Sequence, residues 1–121
     1  MDYKLRFIQN PSYLHVIVTG KNSKQNVAQY LQDVLHECTA RKYRKVLIEE
    51  RLEGPRLKAF PIFEIVNEGS EEARGYFDTI AYVDVYAEGD LMQFAETVAV
   101  NRGLPVTLFA NVADAEKWLN K

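Results

Sequence analysis

The sequence predicts a single α/β domain: a five-stranded mixed sheet that opens with an antiparallel hairpin, continues as parallel strand–helix units and carries about four helices. Three observations point there. The last third, Thr79 to Leu119, reads strand, helix, strand, helix, each with a recognisable start and stop. Near the N-terminus, two strand-like runs are joined by Asn10-Pro11-Ser12, a turn composition that suits a hairpin. The chain has 121 residues, 47% of them hydrophobic, which matches one domain over 1–121 with a core of its own.

Each element has a local cause. Tyr3 to Gln9 alternates, with Tyr3, Leu5 and Phe7 on one side and Lys4 and Arg6 on the other, as in a half-buried edge strand. Tyr13 to Thr19 is a near-continuous apolar run, the pattern of a strand covered on both faces, and Gly20 is expected to end it. Asn22 is expected to cap the next helix with Gln25 as its partner, and Val27, Leu31, Val34, Leu35 and Cys38 line one face out to about Ala40. Val46 to Glu50 is the third strand, followed by an irregular Arg51 to Phe60. Pro61 suits the first position of a second helix and Gly69 its end, with one further helical turn over Ser70 to Gly75.

Ile80 to Tyr86 is rich in β-branched and aromatic residues and reads as the fourth strand. Asp90 and Gln93 resemble a capping box; Leu91, Phe94, Ala95, Val98 and Ala99 then share a helical face, and Gly103 and Pro105 stop the helix. Val106 to Phe109 is a short fifth strand. Asn111 caps the last helix, whose inward face is Val112, Ala115, Trp118 and Leu119. Connections through helices of this length make the last four strands parallel.

Composition removes several function classes. Fifteen Lys and Arg face 17 Asp and Glu, a net charge of -2, so no global positive field draws nucleic acid. Cys38 is alone, which excludes an internal disulfide and suits a reducing compartment. No apolar run approaches the roughly 18 residues of a membrane span, and the expectation is a soluble, cytoplasmic protein. His36 and Cys38 are two apart on a helix and diverge, and 2 histidines and 1 cysteine cannot complete a zinc site. There is no Gly-x-Ser-x-Gly elbow, no Walker motif and no dinucleotide fingerprint, so neither a metal nor a cofactor is expected.

A site is expected where the carboxyl ends of the parallel strands meet helix N-termini. Four loops gather there: Gly20 to Asn22, Glu50 to Phe60, Ala87 to Asp90, and Ala110-Asn111. The candidate ligand- or partner-binding residues are Glu50, Arg51, Glu53, Arg56, Phe60, Asp84, Glu88 and Asp90, against the plainer alternative of solvated loop charges. Asp84 is the oddest of them, a carboxylate on the same strand face as Ile80, Tyr82 and Tyr86; the plainer alternative is that this face is partly open or that Asp84 pairs with a tyrosine hydroxyl. Glu49 and Glu50 alternate in a strand, point to opposite faces and make no catalytic pair. His15, lying with Ile17 and Thr19, reads as hydrogen-bonded structure, and Arg41 to Lys45 as cations complementing a helix C-terminus. Tyr3, Tyr13, Tyr82 and Tyr86 suggest an uncovered aromatic sheet face that a second copy of the chain would close, making a homodimer.

The order of elements resembles the STAS domain, the fold of bacterial anti-sigma-factor antagonists, and more closely the small bacterial proteins described as SpoIIAA-like or STAS/SEC14-like. Phe94 to Val106, Ala113 to Leu119 and the strand Ala81 to Val85 carry the resemblance. It implies a regulatory, non-enzymatic module that docks a protein partner. The family's phosphorylation switch uses a serine or threonine just after the third strand, yet no Ser, Thr or Asp occurs between Ala40 and Gly69. Beside partner docking stand two other readings: a binder of a small ligand, anion or amphiphile, near Leu52, Leu57 and Phe60, and an enzyme using Asp84 or the Glu50/Glu53 group.

Overall fold

A computed structural model describes residues 3–55, 57–73, 75–85 and 89–120, with residues 59, 62, 72 and 89–92 described by their backbone. The order is β1 (Tyr3–Gln9), β2 (Leu14–Lys21), α1 (Lys24–Arg41), β3 (Lys45–Glu53), α2 (Ala59–Ala73), β4 (Thr79–Asp84), α3 (Gly89–Asn101), β5 (Val106–Leu108) and α4 (Val112–Leu119). One sheet contains five strands in the spatial order β1-β2-β3-β4-β5. The β1–β2 pair is antiparallel, and the β2–β3, β3–β4 and β4–β5 pairs are parallel.

This order places the helices. Three successive parallel crossovers advance in one direction along the sheet, and crossovers of one hand then stack their helices on one face. The main core accordingly joins Leu14, Val16 and Val18 of β2 and Val46 and Ile48 of β3 to Val27, Tyr30, Val34 and Cys38 of α1 and Ile65 of α2. After β5 the chain turns back under the other face. There Ala115 and Leu119 of α4 pack on Leu47, Ala81, Val83 and Tyr13.

The boundaries differ from expectation in instructive ways. Gly20 does not end β2: its φ of 134° lets the backbone continue, and Thr19, Gly20 and Lys21 pair with Arg51, Leu52 and Glu53. β3 holds Glu50 as expected and is drawn out to Glu53, so Arg51 and Glu53 are strand residues rather than loop residues. Ser23, not Asn22, caps α1, its Oγ accepting from the Asn26 N–H at 3.1 Å. Asn22 instead donates its side-chain amide to the Pro55 carbonyl at 2.7 Å and ties down the next loop.

α2 begins two residues before Pro61, which is harmless because a first-turn residue has no intrahelical acceptor for its N–H. Gly69 does not end α2; the helix runs on to Ala73. α3 already contains Asp90, which is therefore not the residue outside its start. Asn111 does cap α4, accepting from the Asp114 N–H at 2.9 Å, and Gly103 does adopt a left-handed φ of 87° after α3.

The four tyrosines do not form one bare aromatic face. Tyr13 is buried against α4, Tyr3 and Tyr82 pack on the opposite core, and Tyr86 lies outside the described residues. Gly69 sits inside a helix where a Cβ would meet no atom within 4 Å. Gly69→Ala therefore raises the unfolding free energy by about 0.5–1 kcal/mol, read from urea denaturation, because it removes backbone freedom from the unfolded chain without a clash.

Candidate functional site

The face of the sheet beneath α1, α2 and α3 lines a cavity of about 210 Å³ that opens to solvent on one side. Alternation supplies its floor: Val46, Ile48 and Glu50 from β3, Ile80, Tyr82 and Asp84 from β4, Val106 and Leu108 from β5. Its roof is apolar, with Leu31 and Leu35 of α1, Ile65 and Val66 of α2, and Ala95 and Ala99 of α3. Such a lining would be ordinary core if the helices closed fully onto the strands. Small residues along the roof, Ala28, Gly69, Ser70, Ala95 and Ala99, leave space instead.

Glu50 is the polar centre of this cavity. It is only 3% exposed, and a buried carboxylate costs several kcal/mol unless hydrogen-bonded. Tyr30 of α1, 0% exposed, donates its hydroxyl to Glu50 Oε2, and Tyr82 of β4 donates to the same oxygen. The two hydroxyl oxygens lie 2.7 Å apart. Burial first, and then the neighbouring Glu50 charge, push both phenols well above their usual range. They therefore remain neutral donors at any physiological pH rather than acting as anions.

Strand register explains the convergence. Ile48 pairs with Tyr82 and Glu50 with Asp84 across β3 and β4, so Tyr82 reaches one same-face step along the neighbouring strand. Tyr30 projects down from the middle of α1 between Val27 and Val34. That spacing of three and four residues was the available sequence signal for Tyr30, which the apolar count passed over because tyrosine also suits a surface.

The expected site residues separate into groups. Glu50 and half-buried Asp84 both line the cavity. Arg51 points to the other face and pairs with Glu49, and Glu53 is exposed. Glu50 and Glu53 are three positions apart on a strand, so they take opposite faces and do not form a joint acid–base group. Phe60 is 70% exposed and does not line the cavity, whereas Leu57 does. Arg56, Glu88 and the side chain of Asp90 lie outside the described residues. Glu96 of α3 also lines the cavity and accepts the Leu108 N–H at 3.1 Å, holding β5 to the helix.

On the opposite face, His15 Nε2 lies 2.8 Å from Glu49 Oε1, so His15 is bound structure as its alternation suggests. Among the described residues, no group of three His, Cys, Asp or Glu is arranged to hold a metal. Cys38 is fully buried, and burial pushes its thiol up to about 12, which keeps it an unreactive core residue. No helix among the described residues is long and apolar enough to cross a membrane.

A mixed sheet of this order, antiparallel at β1–β2 and parallel beyond, with three helices on one face and a fourth behind it, is a SpoIIAA-like α/β fold. The chain is similar over 98% of its length to the crystal structure of an uncharacterized protein of the DUF3478 family from Shewanella loihica PV-4, described as having a SpoIIAA-like fold. The match covers 94% of that chain, with a TM-score of 0.59 and 19% identity, and at that identity it establishes the fold alone. No protein-family model matches the sequence, and no curated protein does.

Glu49 gives this face pair a measurable signature. Burial alone would raise its pKa, but the Arg51 and His15 contacts overcome that and hold it below the ordinary 4.5. A carboxyl depressed on folding stabilises the protein fully above its unfolded pKa, and that contribution disappears as pH falls through the folded value. Glu49→Gln accordingly flattens the loss of stability below about pH 4.5 while lowering stability at neutral pH, as followed by urea denaturation across pH 2 to 7.

Proposed function

We propose that the chain is a non-enzymatic binding module whose cavity takes one small amphiphile, its apolar body under α1, α2 and α3 and its polar end toward Glu50. The observation that carries this reading is the cavity itself: about 210 Å³ of space walled mainly by apolar side chains, with the hydrogen-bonded Glu50 carboxylate among its few polar groups. An apolar cavity of about 150 Å³ is known to hold benzene, so this one has room for a benzene-sized body and a short head. Ligand sites commonly combine such an apolar wall with few, well-placed polar groups.

Two features favour binding over turnover. Both tyrosine hydroxyls are committed to Glu50, and their raised pKa values remove them as bases. Ser70, the hydroxyl nearest to being a nucleophile on the lining, donates to the Val66 carbonyl at 2.5 Å. The cavity also favours a small ligand over partner docking as the first reading, since it is a recessed apolar space of the required size rather than a flat surface.

Neutral probes test this without presuming a head group. Saturating 1-hexanol or benzyl alcohol raises Tm by about 5 °C or more in thermal denaturation, because a ligand at 100 times its Kd adds about 2.7 kcal/mol. Gly69→Leu, which places a side chain where a Cβ meets nothing within 4 Å, removes that response while leaving a cooperative transition.

A further inference from the structure

We infer that a second site lies at the opposite end of the sheet, in the cleft between the β1–β2 turn and the α1–β3 connection, and that it binds a dianionic phosphate group, free or as a monoester. It stands apart from the cavity and does not depend on the cavity being a ligand site. Leu14 and Val46 pair near the amino ends of β2 and β3, and the cleft lies just before them; Glu50 and Asp84 pair toward the carboxyl ends. The cleft has a volume of about 460 Å³ and is lined by Pro11 and Ser12 of the turn, Arg41 to Lys45 of the connection, and Asp78.

What singles the cleft out is which of its cations are already engaged. Arg41 pairs with Glu37 at 2.9 Å, and its guanidinium lies 4.9 Å from the centre of the Phe7 ring. Arg44 pairs with Asp78 at 3.4 Å, donates to the Gly75 carbonyl at 3.3 Å and lies 5.2 Å from the centre of the Tyr76 ring. Asp78, the carboxylate that lines the cleft, is thus answered by Arg44. Lys42, Lys45 and Ser12 differ: among the described residues, nothing accepts a hydrogen bond from their ammonium or hydroxyl groups. The planar arginine forks that would grip a carboxylate are therefore committed. What remains is two ammonium groups and a hydroxyl, and a lysine holds phosphate as a point charge without needing a fork.

The backbone points the same way independently. Lys42 is the left-handed residue that ends α1, with φ 63° and ψ 34°. Its N–H donates to the Thr39 carbonyl and that of Tyr43 to the Cys38 carbonyl, the bonds of a helix stop that glycine normally fills. A Cβ strains that conformation, and glycine adopts it freely. Gly20, Gly54, Gly75 and Gly103 hold the other positive-φ positions among the described residues. Lysine at this one is not explained by the helix, because Arg41 already supplies a cation to the last turn of α1. The cleft is also held in shape. Tyr43 donates its hydroxyl to the Asn10 carbonyl at 2.8 Å, joining the connection to the turn, and the Asn10 N–H donates to the Tyr13 carbonyl at 3.1 Å, closing the turn around Ser12.

The test follows the backbone amides of Ser12, Lys42 and Lys45 by NMR on the full chain at fixed ionic strength, titrating inorganic phosphate, glycerol 3-phosphate, acetate and a short DNA duplex. Both phosphate probes are expected to give saturable shifts at those amides and to bind about tenfold tighter than acetate. The tighter of the two tells a free phosphate from an ester. Lys42→Gly is the most informative variant because it relieves the backbone: its Tm is expected to equal or exceed that of the parent, while phosphate affinity falls about fivefold or more. Lys45→Gln and Ser12→Ala also weaken phosphate binding, and Lys42→Arg retains it. The 1-hexanol response of the cavity is unchanged in Lys42→Gly, so the two sites stand or fall separately. The inference is overturned if acetate matches phosphate, or if Lys42→Gly keeps the phosphate affinity. It is equally overturned if the duplex shifts these amides while the phosphate probes do not, which would make the cleft a nucleic-acid contact.

Discussion

Two tyrosine hydroxyls closing on one buried carboxylate organise the interior of this protein. Glu50 sits in the middle strand, where burial removes water from the charged group and the loss must be made good by hydrogen bonds. The donors come from two elements far apart in sequence, Tyr30 on α1 and Tyr82 on β4. A tyrosine has a fixed reach. Its contact with Glu50 therefore sets how closely α1 approaches the sheet, and small residues on α2 and α3 leave the rest of that gap unfilled. The cavity is thus coupled to the polar cluster: the same packing that satisfies Glu50 also keeps the helical layer from collapsing onto β3 and β4.

Two adjacent glutamates in a central strand would be a liability in a sheet with a single polar face. Here each has its own partners on its own side. Glu50 has tyrosines under the helical layer, and Glu49 has His15 and Arg51 on the face that α4 only partly covers. Neither set could serve the other residue, because the pleat sends consecutive side chains in opposite directions. The consequence for function is asymmetry. One face presents a recessed, largely apolar space around Glu50, and the other a structural ion cluster.

The element order was legible because each helix and strand follows a local signal: period-two alternation in β1, the Asn111 cap of α4, the Gly103–Pro105 stop after α3. What the sequence concealed depends on pairing at a distance. Arg51 to Glu53 look like the start of a loop, yet they become strand because β2 continues past Gly20 to receive them. That extension puts Glu50, expected at a loop mouth, within the strand that floors the cavity. Gly69 looks like a helix stop, but a glycine with ordinary helical geometry reads the same as one with positive φ until the backbone is seen. Asp84 was singled out as a carboxylate on a core-facing strand, and it does reach the cavity. Tyr30 escapes the sequence reading and Tyr82 is expected on an uncovered face, because nothing local distinguishes a tyrosine that satisfies a buried acid from one that lies at a surface.

The central claim, that Glu50 is held by the two phenols, is tested most directly by double-mutant cycles on stability, pairing Glu50→Gln with Tyr30→Phe and with Tyr82→Phe in urea denaturation. Each Tyr→Phe change alone is expected to cost about 1–3 kcal/mol, and each cycle to return a coupling of about 1 kcal/mol or more. Coupling energies within about 0.3–0.5 kcal/mol of zero in both cycles would mean the three side chains act independently, and would contradict the account.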